Sequence, residues 1–364
     1  MSKDLRIVPV TKAELRKAVE KNTYWETSMV PIPKSKAIWL LSNTRIEEED
    51  YCGVFGFEGD KMVAFIYMFP DLFNFGKQIE KGYWELLWWV DHAYKDTVLG
   101  TYIFNEALNL ANKKVIVKSY AESVNDFYEK QAFKLIQSRL RHTIFFSLDT
   151  NILLGRFSFL KYFKLILKGA DKLVGALVNK LNKLKAKKRT ATLEYHYLNK
   201  LDQATWEFIK PLCQNDLVHK TKEYIDWQLD NSQYTQIPVV NKFKQHSLQV
   251  GIGHNIRIHK VKIVQDETII GFISYVINHK EFNIKYFLVS DQSNYDKCVD
   301  ALIAHFTQSG MNFIFTDDTE LSNNINKRFT TIFTYKIAKK ALAHDSIEFG
   351  NEALKIYNRD GHFY

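Results

Sequence analysis

The chain has 364 residues, 46% apolar and 25% charged, which suits a folded protein of two domains and excludes long disordered linkers. The net charge of +9 permits nucleic acid, anionic lipid or an anionic cofactor as partner, but the basic residues lack the interleaved stacking aromatics of a DNA binder. Cys52, Cys213 and Cys298 are too far apart for a disulfide framework or a paired-cysteine metal site, and they point to a reducing, cytoplasmic compartment.

In chain order, residues 5–9 are expected as a strand and 12–20 as a helix capped by Thr11. Residues 25–43 are aromatic and irregular, and Pro31 and Pro33 should break any helix there. Runs 52–57 and 62–69, parted by Glu58, Gly59, Asp60 and Lys61, form a hairpin pattern, and 83–90 is a third, strongly apolar strand. After a polar stretch at 91–97 come a helix (98–111), a strand (114–119), a short helix (122–131) and closing strands at Phe133 and 142–148.

Two blocks in this half carry a resemblance. Residues 87–103 read LWWVDHAYKDTVLGTYI and residues 121–133 read AESVNDFYEKQAF. Together they resemble the cofactor motif of the acyl-CoA N-acyltransferases, the GCN5-related superfamily. There a strand leads through Arg/Gln-x-x-Gly-x-Gly/Ala into a helix, and a later helix ends in Tyr-Glu-Lys-x-Gly-Phe. Lys95 falls on the basic position, Gly100 on the last small one, and Tyr128, Glu129, Lys130 and Phe133 match the second block. Val98 stands where the first glycine is expected, Ala121 at the usual Asn, and Ala132 at the Gly.

The resemblance implies acyl-CoA as cofactor, held by Trp89, Val90, Lys95, Leu99, Gly100 and Thr101. Amides at a helix N-terminus bind phosphate, and a residue without Cβ lets the pyrophosphate approach. Tyr128 falls on the family's thiolate donor. Glu85, the one acid in its strand, is the candidate general base; by alternation it shares a face with Leu87 and Trp89, opposite Trp84, Leu86, Trp88 and Val90. The plain alternatives are a half-buried tyrosine and an acid that reaches solvent at the strand start. Asp91 and Asp96 are unfavourable beside phosphate.

Residues 155–189 alternate leucine, valine and phenylalanine with lysines 161, 164, 168, 172, 180, 183 and 185, and hold one acid, Asp171. Two readings fit: a helical linker between domains, and an amphipathic helix on an anionic membrane surface through 156–189.

The second half repeats the order of the first: a strand (190–198), helices (205–215 and 222–229), a strand or loop (245–252), and a hairpin (257–265 and 268–277) turning at Asp266 and Glu267. Then follow a strand (284–289), a helix (295–307) with Gly310 beyond it, a strand (312–316), a short helix (321–326) and a strand (330–337). The loop after Val289, SDQSNYD, holds no glycine, so no coenzyme cradle is expected. The block 224–234, YIDWQLDNSQY, and the tail 359–364, RDGHFY, resemble large two-unit members of the superfamily, often from surface-glycan loci. Arg257, His259, Asp317, Asp318 and Asp360 are the polar candidates here, with the two aspartates favoured as helix caps.

The fold class implied is α/β, of α+β type. Two tandem acyl-CoA N-acyltransferase-like domains (1–150 with a degenerate coenzyme loop, 190–364 without one), each on a mixed, mostly antiparallel sheet, flank a basic helical linker (151–189). The leading function is N-acylation of a small amine or amino sugar. A non-catalytic scaffold, or aminoacyl transfer from tRNA to a cell-wall precursor, are the alternatives. No metal is expected.

Overall fold

The computed structural model describes residues 5–25, 29–30, 32–76, 78–148, 150, 154, 158–235, 246–247, 256–350 and 355–361. Pro31, residues 155–157, most of the expected 245–252 element and the last three tail residues lie outside them.

The first half opens with β1 (Leu5–Thr11) and α1 (Lys12–Lys21). Thr11 and Glu14 form a reciprocal capping box at that junction, which fixes where extended chain becomes helix. A two-residue strand β2 (Met29–Val30) and α2 (Lys34–Leu41) follow. Pro33 therefore starts a helix where it was expected to break one, because its fixed φ suits the position before the first turn. The hairpin β3 (Tyr51–Glu58) and β4 (Lys61–Phe75) turns at Gly59, whose φ of +57° a side chain would resist. β4 runs six residues past the expected end at Phe69, through Pro70, where pairing with β3 has already stopped at Tyr67. Then come β5 (Gln78–Val90), α3 (Leu99–Leu110), β6 (Val115–Val117), α4 (Asn125–Tyr128) and β7 (Phe133–Phe145). The last is one continuous strand, not two closing pieces.

Helix α5 (Lys164–Arg189) leads to the second half. That half contains β8 (Glu194–Tyr197), α6 (Gln203–Leu212), α7 (Lys222–Gln228), β9 (His246–Ser247), β10 (Arg257–Gln265), β11 (Thr268–Asn278) and β12 (Glu281–Val289). It closes with α8 (Gln292–Ser309), β13 (Phe313–Thr316), α9 (Thr319–Arg328) and β14 (Phe333–His344). Asp266 and Glu267 take positive φ in the β10–β11 turn, and Gly310 at φ +70° ends α8.

Both halves contribute to one twelve-stranded sheet, ordered β1-β3-β4-β5-β6-β14-β7-β13-β12-β11-β10-β8. Their last strands are exchanged. β14 lies between β6 and β7, and β7 lies between β14 and β13. One face of the sheet carries a core shared by the halves, joining Phe69, Phe73 and Trp84 to Phe272, Val276 and Tyr286. Trp39 of α2 stacks on Trp227 of α7 at 4.1 Å, and each indole N–H donates to the other's carbonyl at 2.8 Å. The opposite face has two separate cores, one around α3 and one around α8.

Candidate active site

β4 and β5 lose register between Tyr67 and Met68, which pair with Leu87 and Glu85, so Leu86 is an extra residue in β5. A bulge of this kind re-aims side chains. It corrects the simple alternation: Glu85 lies with Trp88 and Val90 on the α3 face, whereas Leu86, Leu87 and Trp89 face the shared core. Trp89 accordingly packs near Phe65, at 5.6 Å between rings, away from Glu85.

Glu85 is buried, at 8% exposure. Its Oε1 accepts a 2.7 Å hydrogen bond from the Tyr128 hydroxyl, and Tyr128 is itself buried among Tyr120, Phe104 and Phe133. The other oxygen, Oε2, has no hydrogen-bond partner among the described residues. Burial pushes the Glu85 carboxyl up to about 7, against the opposing bond from Tyr128. Burial, and then the charge of Glu85, pushes the Tyr128 phenol up strongly. A small cavity of about 150 Å³ adjoins Tyr128, and Lys340 and Leu342 of β14 line it together with Tyr120, Asn125 and Phe133. The second half thus supplies one wall of the first half's candidate site. That β14 makes this wall follows from the strand exchange, which no sequence spacing marks.

Beside Glu85 the sheet opens. β5 pairs with β6 only from Tyr83 to Glu85, though it continues to Val90; among the described residues no strand flanks 86–90 on that side. The N-terminus of α3 closes the wide end. Val98 has φ −75° and ψ −2°, so the fold does not require a glycine there, and its side chain is 81% exposed. Gly100 is tightly enclosed: a Cβ there would meet Val90 Cγ2 at 3.2 Å and Trp88 at 3.4 Å. The Leu99 amide is taken by Thr97 Oγ1 at 3.3 Å. The amides of Gly100 and Thr101, in the first helical turn, have no acceptor within the helix. Lys95 and His92 are exposed on the preceding turn, and Asp91 is neutralised by Lys61 at 2.7 Å.

The second half repeats the bulge and the opening. Tyr275 pairs with Ile284 and Ser274 with Tyr286, so Lys285 is the extra residue, and β12 pairs with β13 only from Glu281 to Asn283. The helix N-terminus differs. The Asp291 carboxylate accepts from the amides of Ser293 and Asn294 at 2.9 and 3.1 Å, filling the place a phosphate would take. Residues of this cleft line a cavity of about 690 Å³ that includes Arg139, Lys285, Asp317 and Tyr357.

The polar candidates of this half do not converge. Asp318 caps α9 through the Leu321 amide, as favoured, but Asp317 does not cap; it receives Arg139 Nε at 2.9 Å and Arg141 Nε at 3.0 Å. Burial pushes the Asp317 carboxyl up, yet the charges and hydrogen bonds of Arg141 and Arg139 outweigh it and hold it at about 2. Arg257 and His259 line a separate cavity of about 390 Å³. Asp360 is buried with Lys220 at 3.2 Å, and Arg359 forms a bidentate pair with Asp216 at 2.7 Å for both bonds. The tail is therefore an internal lock, and Gly361 packs against Trp84 beside Glu85. Lys118, pushed down to about 7 by burial, donates to the Asn358 and Asp360 carbonyls of the same tail. Apart from the tail residues, nothing in local sequence pattern marked these partners.

No protein-family model and no curated protein matches the sequence. Solved structures do. A GCN5-related N-acetyltransferase from Kribbella flavida is 10% identical with a TM-score of 0.51, over 94% of this chain and 72% of that one. A probable N-acyltransferase of unknown function from Enterococcus faecalis is 11% identical with a TM-score of 0.51, over 94% and 73%. A GCN5-related N-acetyltransferase from Anabaena variabilis is 8% identical with a TM-score of 0.50, over 93% and 72%. With strand bulge, opening sheet and helix arranged as described, the chain has the fold of the GCN5-related N-acetyltransferases.

Proposed function

We propose that the chain is an N-acyltransferase that uses an acyl-CoA to acylate a small amine, with chemistry confined to the first half. The buried Glu85–Tyr128 pair carries this reading, because it places a carboxylate and a phenol at 2.7 Å where β5 parts from β6.

The residues of the first half fit the cofactor. The free amides of Gly100 and Thr101 would take pyrophosphate oxygens, Lys95 would add charge, and the unpaired edge from Leu86 to Val90 would hold the pantetheine amides. The second half does not fit, because Asp291 already satisfies the equivalent amides. When bound, acyl-CoA supplies an activated acyl thioester. Glu85, poised near neutrality, takes a proton from the attacking amine through its free Oε2. Tyr128 holds a proton at its hydroxyl for the departing sulfur, and its raised pKa keeps that proton in place until the transfer. One proton leaves the amine and one is delivered, so charge balances.

The acceptor is a small amine or amino sugar that reaches Tyr128 past Lys340 and Tyr120. Thiol release from acetyl-CoA with a panel of amines and amino sugars tests the reading. Amine-dependent release that Glu85→Gln removes supports it, and absence of release across the panel sinks it.

A further inference from the structure

Helix α5 turns its larger apolar side chains outward. The inner face is made of small and polar residues. Val178, Asn182 and Ala186 are buried there, with Val174 packed against the α8 core. Asn182 anchors the helix by bonding both the amide and the carbonyl of Thr330, at 2.9 and 2.8 Å. Residues three to four apart share a helix face, so Ile166, Leu173, Leu177, Leu181 and Leu184 line up on the side turned from that anchor. They are 42–73% exposed, and Tyr162 and Phe163 extend the stripe beyond the helix start. A soluble helix normally buries its leucines and exposes its small residues.

Charge is arranged to match. Residues 161–189 hold nine lysines and one arginine against one acid. That acid, Asp171, is committed inward to the Leu148 amide at 2.9 Å and the Thr150 hydroxyl at 3.1 Å. Lys168, Lys172, Lys180 and Lys183 lie along one flank of the stripe. With Lys280 from the β11–β12 turn, they line a groove of about 970 Å³.

We propose that this face seats on an anionic lipid bilayer. The leucine stripe enters the boundary between headgroups and acyl chains, and the lysine groove receives lipid phosphates. A free phosphate would have no use for the stripe. A second copy of this chain would bring ten like charges against ten, and no helix among the described residues is long and apolar enough to cross a membrane. The inference is independent of acyl transfer.

Flotation of the full chain with vesicles tests it. Vesicles of phosphatidylcholine with about 30% phosphatidylserine should bind the protein at least about tenfold more strongly than phosphatidylcholine alone, and less so as salt rises. Two variants separate the contributions: Ile166→Ser, Leu173→Ser, Leu177→Ser and Leu184→Ser together, and Lys168→Glu, Lys172→Glu, Lys180→Glu and Lys183→Glu together. None of these side chains is buried, so the thermal midpoint should hold while binding falls at least about tenfold in each. The proposal is overturned if the native chain ignores anionic vesicles, or if the leucine variant binds as well as the native chain. It is equally overturned if the native chain forms a dimer that the leucine substitutions dissolve while vesicles go unbound.

Discussion

The proposed chemistry rests on one buried carboxyl group, that of Glu85. Burial raises Glu85 from an ordinary value of 4.5 to about 7. Between those values the folded chain binds a proton that the unfolded chain releases. The stability contributed by the neutral carboxyl is complete below about pH 4.5 and is lost as pH rises through 7, a change of about 3 kcal/mol. Glu85→Gln should therefore be less dependent on pH in thermal unfolding and more stable than the native chain above pH 7. A native-like fall in midpoint between pH 5 and 8 would contradict this. The same substitution should lower the acylation rate about 10²- to 10⁴-fold, and the native rate should climb as pH passes 7. Both members of this candidate pair stand out in the sequence: Glu85 as the one acid in an apolar strand, Tyr128 by its motif. Their contact stands out less, because the bulge at Leu86 decides which way Glu85 points, and a bulge leaves no mark on a strand that is apolar on both faces.

At the level of elements, the strands and helices follow periodicity closely, and departures have local causes. β4 outruns its expected end because its far half pairs with β5 on one side while Asn74 and Leu72 bond to residues 217 and 219 on the other. Val98 needs no glycine because the turn keeps φ negative. The tail and α5 are held by small polar locks that invite mutation. Arg359→Ala leaves Asp216 buried without its partner, at a cost of about 3–5 kcal/mol in chemical denaturation. Asn182→Ala strands the Thr330 amide and carbonyl and should cost about 2 kcal/mol or more. A change below about 0.5 kcal/mol in either would show that the lock is not holding.

Across the whole molecule, the repeated order of elements was visible in sequence, but the exchange of β7 and β14 was not. Both strands look alike from either half, and pairing partners some 200 residues apart leave no local pattern. The exchange makes each half incomplete alone. Residues 1–189 lack β14, the strand that pairs along the whole of β7 and also flanks β6. That fragment should show no cooperative thermal transition, whereas a sharp transition would mean the halves fold independently.

The opening between β5 and β6 in the first half, and not its counterpart, is the proposed coenzyme site. Calorimetric titration with acetyl-CoA tests it most directly, with Thr101→Glu as the paired variant. An acid in the first turn of α3 favours the helix yet repels pyrophosphate, so folding is kept while binding is challenged. One site per chain is expected, with a dissociation constant between about 1 μM and 1 mM, weakened at least about tenfold by Thr101→Glu. No binding at millimolar acetyl-CoA, or binding that the variant leaves unchanged, would contradict it.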